Sequence, residues 1–102
     1  MLYRIYTENK NAFELEKLLK SEFQSFTVFD GRGCWQGDTE QALIIEIMGD
    51  SYLDHAITRL ASTIAKLNQQ ACVIVQRIDC TIKTVSNPDA QDYRQENAQL
   101  HS

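Results

Sequence analysis

Residues 40–49 read EQALIIEIMG, and from Ala42 to Met48 the apolar run is interrupted only by Glu46. This stretch constrains the fold more than any other. It falls far short of the roughly 20 apolar residues needed to cross a bilayer, and Gly49 ends it at strand length. A strand that is apolar at consecutive positions has to bury both faces. It is therefore expected at the centre of a sheet, with its second face covered either by the same chain or by another subunit.

The flanking segments supply the rest of such a sheet. LYRIYTE (2–8) is rich in aromatic and β-branched residues and reads as a strand. Residues 9–24 follow, with Ala12, Leu15, Leu18, Leu19 and Phe23 at the three-to-four spacing of one helix face. Asn11 with Glu14 has the form of a capping box at its start. SFTVFD (25–30) is a second strand, and EQALIIEIMG is the third. After Gly49 and Asp50, Ser51 with Asp54 is placed to cap a second helix over 51–68, whose stripe is Leu53, Ala56, Ile57, Leu60, Ile64 and Leu67. ACVIVQRID (71–79) is a fourth strand, and CTIKTV (80–85) either continues it past a bulge or forms a short fifth one.

The order β-α-β-β-α-β predicts an α+β, ferredoxin-like domain over residues 1–85: a four-stranded antiparallel sheet with two helices on one face. Residues 86–102 form a polar tail in which Asn87-Pro88 either opens a short C-terminal helix or leads into frayed chain. Two helices cover one side of such a sheet. With Ile44, Ile45, Ile47, Val73, Ile74 and Val75 on the third and fourth strands, both faces are expected to be apolar. The uncovered one then calls for a homo-oligomer, dimer or trimer.

Charge and composition narrow the function. Hydrophobic residues make up 43% of the 102 and charged residues 24%, the balance of a folded domain, and the net charge of −4 disfavours nucleic acid as a partner. No apolar run is long enough for a membrane span, and the start MLYRIYTENK has no leader pattern. Cys34, Cys72 and Cys80 are odd in number and lack CxxC spacing. Free thiols and a cytoplasmic location are expected.

Candidate site residues concentrate in DGRGCWQGD (30–38), which holds three of the four glycines and the only tryptophan. Arg32 between Gly31 and Gly33 forms a small anion nest if the glycines adopt positive φ. Alternatively, Asp30-Gly31 begins a hairpin turn and the other glycines relax it. Trp35 is expected to fold over the core, to anchor a partner, or to stack on a planar ligand. Arg4 and Tyr6 share a face of the first strand, and with Trp35 they either line a polar-aromatic pocket or pair with acidic groups across a subunit interface. Cys34 would need a base such as His55 to act as a nucleophile. His55 reads as a helix-surface residue and Cys72 as core, and the second histidine, His101, lies in the tail. No catalytic residue, metal site or cofactor is expected.

The stretch Thr27-Val28-Phe29-Asp30-Gly31-Arg32-Gly33-Cys34-Trp35, followed by ALIIEIM, resembles a T-x-x-D-G-x-G-x-W element of an uncharacterised bacterial group of small α/β proteins. The architecture is similar to the PII signalling and CutA-type superfamily, which implies a small cytosolic trimer with ligands in clefts between subunits. The basic run that a PII-like nucleotide site places after strand four is reduced here to Arg77 and Lys83. The expected function is an oligomeric, non-catalytic small-molecule-binding or regulatory module for an anionic or aromatic ligand. Arg32, Trp35, Gly31, Gly33, Arg4 and Tyr6 are its candidate ligand-binding residues. The alternatives are a cofactor-free ferredoxin-like enzyme of oxygenase or isomerase type, using His55, Tyr6, Arg4 and Cys34, and a protein-interaction module anchored by Trp35.

Overall fold

The computed structural model describes residues 1–90, in the order β1 (Leu2–Glu8), α1 (Ala12–Glu22), β2 (Thr27–Trp35), β3 (Asp38–Met48), α2 (Asp54–Asn68) and β4 (Ile74–Ile78). The four strands form one antiparallel sheet in the order β2-β3-β1-β4, the ferredoxin-like arrangement expected from the sequence. β3 and β1 are central, which explains the apolar run of β3. Residues 80–87 add no strand, and a helix in the tail beyond residue 90 lies outside the described residues.

Strand alternation sorts the sheet into two faces. Tyr3, Ile5, Leu43, Ile45 and Ile47 point at the helices, where Leu15 and Leu19 of α1 and Ile57, Leu60 and Ile64 of α2 close over them. All ten are nearly inaccessible, with Leu43 the most exposed at 3%. The space between sheet and helices is filled by this core.

Both helices start differently from expectation. Asn11 takes a left-handed conformation (φ 54°) and its side chain caps nothing at the terminus. Its amide reaches across to α2 instead, donating to Leu67 O and Asn68 Oδ1, both at 3.2 Å. A single 3-10 turn, Ser51–Leu53, precedes α2, and neither Ser51 nor Asp54 caps it. Asn11 and Asp54 are drawn away from capping because tertiary partners compete for the same polar groups.

The largest departure lies in the glycine-rich stretch. It is not a loop: β2 runs through it to Trp35, paired with β3 residue by residue as far as Trp35↔Asp38. The turn is the two-residue Gln36-Gly37, with φ of 52° and 88°. Positive φ at both central positions is the type I′ geometry whose twist matches a hairpin. The expected turn at Asp30-Gly31 is replaced by continuous ladder. From Cys34 to Gln41 the hairpin is exposed on both faces, so it extends beyond the cover of the helices.

Candidate functional site: an aromatic groove on the open sheet face

The face away from the helices is built in rows across the strands. One row is Thr27, Glu46, Arg4 and Gln76, and the next is Phe29, Ile44, Tyr6 and Ile74. Beyond these come Gly31, Ala42 and Glu8, then Gly33 and Glu40, and last Trp35 beside Asp38. Large apolar side chains on this face are left in solvent: Trp35 is 57% exposed, Ile74 52%, Phe29 44% and Tyr6 36%.

At the hairpin end of this face is a groove of about 430 Å³. Trp35 closes it at the hairpin end, Tyr6 and Ile74 close it at the other end three rows along the sheet, and Gly33, Ala42 and Ile44 lie in the floor. The glycines account for its depth. A Cβ on Gly31 would come within 2.7 Å of the Ile44 Cδ1, whereas one on Gly33 would meet only Ala42 and Glu40 at 3.9–4.0 Å. Two side-chain-free positions between Phe29 and Trp35 thus keep the strand surface low. The volume lies within the range of small-molecule sites.

The polar groups of the groove include two carboxylates, Glu8 and Glu40, which also border a more open depression of about 340 Å³ over Asn9, Lys10 and Gln41. The Oε2 of Glu8 is ion-paired with the Lys10 ammonium 2.8 Å away.

Beneath the groove lies a polar cluster that sequence reasoning missed. Asn68, 2% exposed at the end of α2, donates to Thr7 Oγ1 (3.1 Å), Glu8 O (3.3 Å) and Gln70 Oε1 (3.0 Å). The Thr7 hydroxyl in turn donates to Gln70 Oε1, and Gln70 Nε2 donates to Cys72 O at 3.4 Å. This ties the segment leading into β4 to β1, so Gln70, Ala71 and Cys72 hold the groove's far rim. The signal was present in the sequence: Asn68 continues the Ile57–Ile64 stripe, and Thr7 continues the Tyr3–Ile5 alternation.

At the opposite end of the helix-covered face, the buried Tyr3 hydroxyl donates to Asp54, whose other oxygen accepts from Arg77 Nη1 at 2.9 Å. Arg77 Nε donates to Asp79 at 3.0 Å, and this bond shifts the guanidinium pKa upward. Burial, then the Asp54 hydrogen bond, pushes the Tyr3 phenol up to about 12.

The expected site residues separate into groups. Trp35, Gly33 and Tyr6 meet at the groove, with Gly31 on the same face. Arg32 and Cys34 border it, but alternation sends their side chains to the other face. The anion nest does not form, since the only glycine with positive φ is Gly37 and the amides flanking Arg32 point in alternate directions. Arg4 is ion-paired within its own chain: Nε and Nη2 donate to Glu46 Oε2 at 2.9 and 2.6 Å. Hydrogen bonding to that carboxylate raises the Arg4 pKa.

The constellation required by the enzyme alternative is not assembled. His55 is exposed next to Asp54, at the Tyr3 end of the sheet. Cys34 pairs with Thr39 at the other end, eight strand residues from Ile47, or roughly 26 Å at the usual rise. Cys72, expected in the core, is exposed because β4 begins only at Ile74, and all three cysteines are free. Among the described residues no cluster of three or more His, Cys, Asp or Glu side chains could hold a metal ion, and no helix is long and apolar enough to cross a membrane. His101 lies outside the described residues.

No protein-family model and no curated protein matches the chain. By structure it is similar to a DUF3240 family protein from Shewanella baltica OS155, with a TM-score of 0.67 and 17% identity over 83% of this chain and 94% of that one. A de novo designed protein, Foldit4, aligns with a TM-score of 0.42 and 21% identity over 74% and 89% of the two chains. The first likeness is one of fold.

Proposed function

We propose that this chain is a small-molecule-binding module whose ligand lies in the groove between Trp35 and Tyr6. The observation that carries the reading is the exposed indole of Trp35 at one end of a groove floored by glycine and alanine, with Tyr6 and Ile74 at its other end. A flat ring laid on that floor against the indole would bury both, gaining roughly 25 cal/mol for each Å² removed from water. The groove's carboxylate Glu40, which makes no ion pair among the described residues, favours a ligand carrying a positive charge or N–H donors, while Glu8 is held by Lys10. This replaces the expected anion grip by Arg32. A ligand ammonium over the Trp35 face would add a cation–π contribution.

The experiment is a paired titration with tryptamine and indole-3-acetate, which share the ring and differ in the sign of the charge. Tryptamine is expected to perturb the NMR signals of Trp35, Gly33 and Ala42, and indole-3-acetate to bind more weakly. Trp35→Ala is expected to abolish both responses without unfolding the chain. Equal binding to wild type and Trp35→Ala would remove the reading.

A further inference from the structure

The open face carries apolar side chains well beyond the groove. Met48, 56% exposed, Leu2 and Ile78 form a third row on the side of Arg4 away from Tyr6. We infer that this face is a dimer interface with a second copy of the same chain, related by a two-fold axis that runs parallel to the strands between β1 and β3.

The argument is self-complementarity, which a two-fold interface requires because each patch must fit itself. Rotation about such an axis lays β3 of one copy over β1 of the other, and β2 over β4, while each row stays on its own level. The outcome can be checked row by row against the strand register. Met48 falls on Leu2 of the other copy, Ile44 on Tyr6, and Phe29 on Ile74. Thr27 falls on Gln76, so polar meets polar. In the middle Arg4 falls on Glu46, and Glu46 on Arg4. A two-fold axis laid across the strands along the Arg4 row would instead set Arg4 on Arg4 and Glu46 on Glu46, like charge on like. The strand-parallel axis avoids this clash, and it gives the aligned sheet-on-sheet packing seen in sandwiches.

The central charges also fit this arrangement. Arg4 and Glu46 already pair within the chain at 2.6 Å, with side chains 31% and 23% exposed. Two such pairs stacked head to tail make a four-charge square whose neighbours across the interface are all opposite in sign. The strips at Gly31, Gly33 and Ala42 have too little side chain to reach across. There the two sheets part, so the Gly33–Trp35 end of the groove stays open at the mouth of the interface while its Tyr6–Ile74 end is shared with Ile44 and Phe29 of the other copy. The dimer does not depend on the groove binding a ligand, and its test is separate.

The test exploits the central charges. By light scattering coupled to size exclusion, the wild-type chain is expected at twice its 11.7 kDa mass. Arg4→Glu presents only acidic groups at the centre and Glu46→Arg only basic ones. Each variant alone is expected at half the wild-type mass, and circular dichroism melts establish that each is folded. Mixed in equal amounts, the two are expected to restore the twofold mass as a heterodimer. A role for Arg4–Glu46 confined to one chain predicts no recovery on mixing. A wild-type monomer across the dilution series, a trimer, or two folded variants that fail to associate would each overturn the inference.

Discussion

Trp35 and Tyr6 share the uncovered face of the sheet although their strands, β2 and β1, do not touch; β3 lies between them and presents Glu40, Ala42 and Ile44 at the groove. The gap between the two rings is a consequence of residue size along β2. Where Phe29 fills its position, Gly31 and Gly33 leave theirs empty, and the strand then ends in an indole beside a two-residue turn.

Gly33 offers a direct way to close the groove while keeping the fold. A Cβ there meets nothing nearer than 3.9 Å, so Gly33→Ala should fold and bind as the wild type does. Gly33→Leu should fold and lower tryptamine affinity at least about tenfold, or ~1.4 kcal/mol. Isothermal titration alongside a thermal melt separates loss of binding from loss of structure.

Asn68 joins both helices to β1, and removing its amide leaves Thr7, Glu8 and Asn11 with broken hydrogen bonds at a site 2% exposed. Unsatisfied buried groups cost about 1–3 kcal/mol. Asn68→Ala should therefore lower the urea unfolding free energy by that amount. Asn11→Gly, which removes the amide without straining the left-handed backbone at φ 54°, should cost less, because its other acceptor, Leu67 O, lies in an exposed setting.

These residues also show what could be seen in advance. Strand order, both helices and the open apolar face follow from local periodicity, which needs no knowledge of distant partners. The central place of β3 follows from its apolar run. The glycine-rich stretch misled because Gly31 and Gly33 have the composition of a turn, yet they are chosen for the space they leave opposite Ala42 and Ile44, a tertiary requirement. Asn11, Ser51 and Asp54 look like caps for a similar reason: what redirects Asn11 and Asp54 is a partner more than 40 residues away in sequence. Arg4 and Trp35 were visible as unusual, but only the strand register separates Arg4, paired to Glu46, from the groove.

The Tyr3 phenol should make stability fall in alkali. Its pKa stands near 12 in the fold against 10.0 for an ordinary tyrosine, because burial and the Asp54 carboxylate oppose the phenolate. A raised folded-state value means the contribution is whole below pH 10 and is lost progressively as the pH climbs toward 12. Tyr3→Phe should unfold more readily near neutrality, yet lose less stability than the wild type over that alkaline window. Denaturant midpoints for both proteins across the window test this, and parallel curves would contradict it.

The hairpin turn demands glycine at position 37, where φ is 88°. Gly37→Val forces a β-branched side chain into the left-handed region, at a cost of roughly 1–3 kcal/mol. Since Trp35–Asp38 is the last pair of the ladder, the expected effect is local. Amide exchange should quicken between Gly33 and Glu40 and stay unchanged in β1, and tryptamine binding should weaken with it.

The central claim is that the groove between Trp35 and Tyr6 binds a flat, positively charged ligand. The most direct measurement is a ¹H–¹⁵N spectrum of the wild-type chain titrated with tryptamine. The account predicts saturable shifts at the Trp35 indole and at the amides of Gly33, Ala42, Tyr6 and Ile74, larger than those caused by indole-3-acetate. Shifts confined to the helices or scattered over the surface, or no shift at the Trp35 indole, would contradict it.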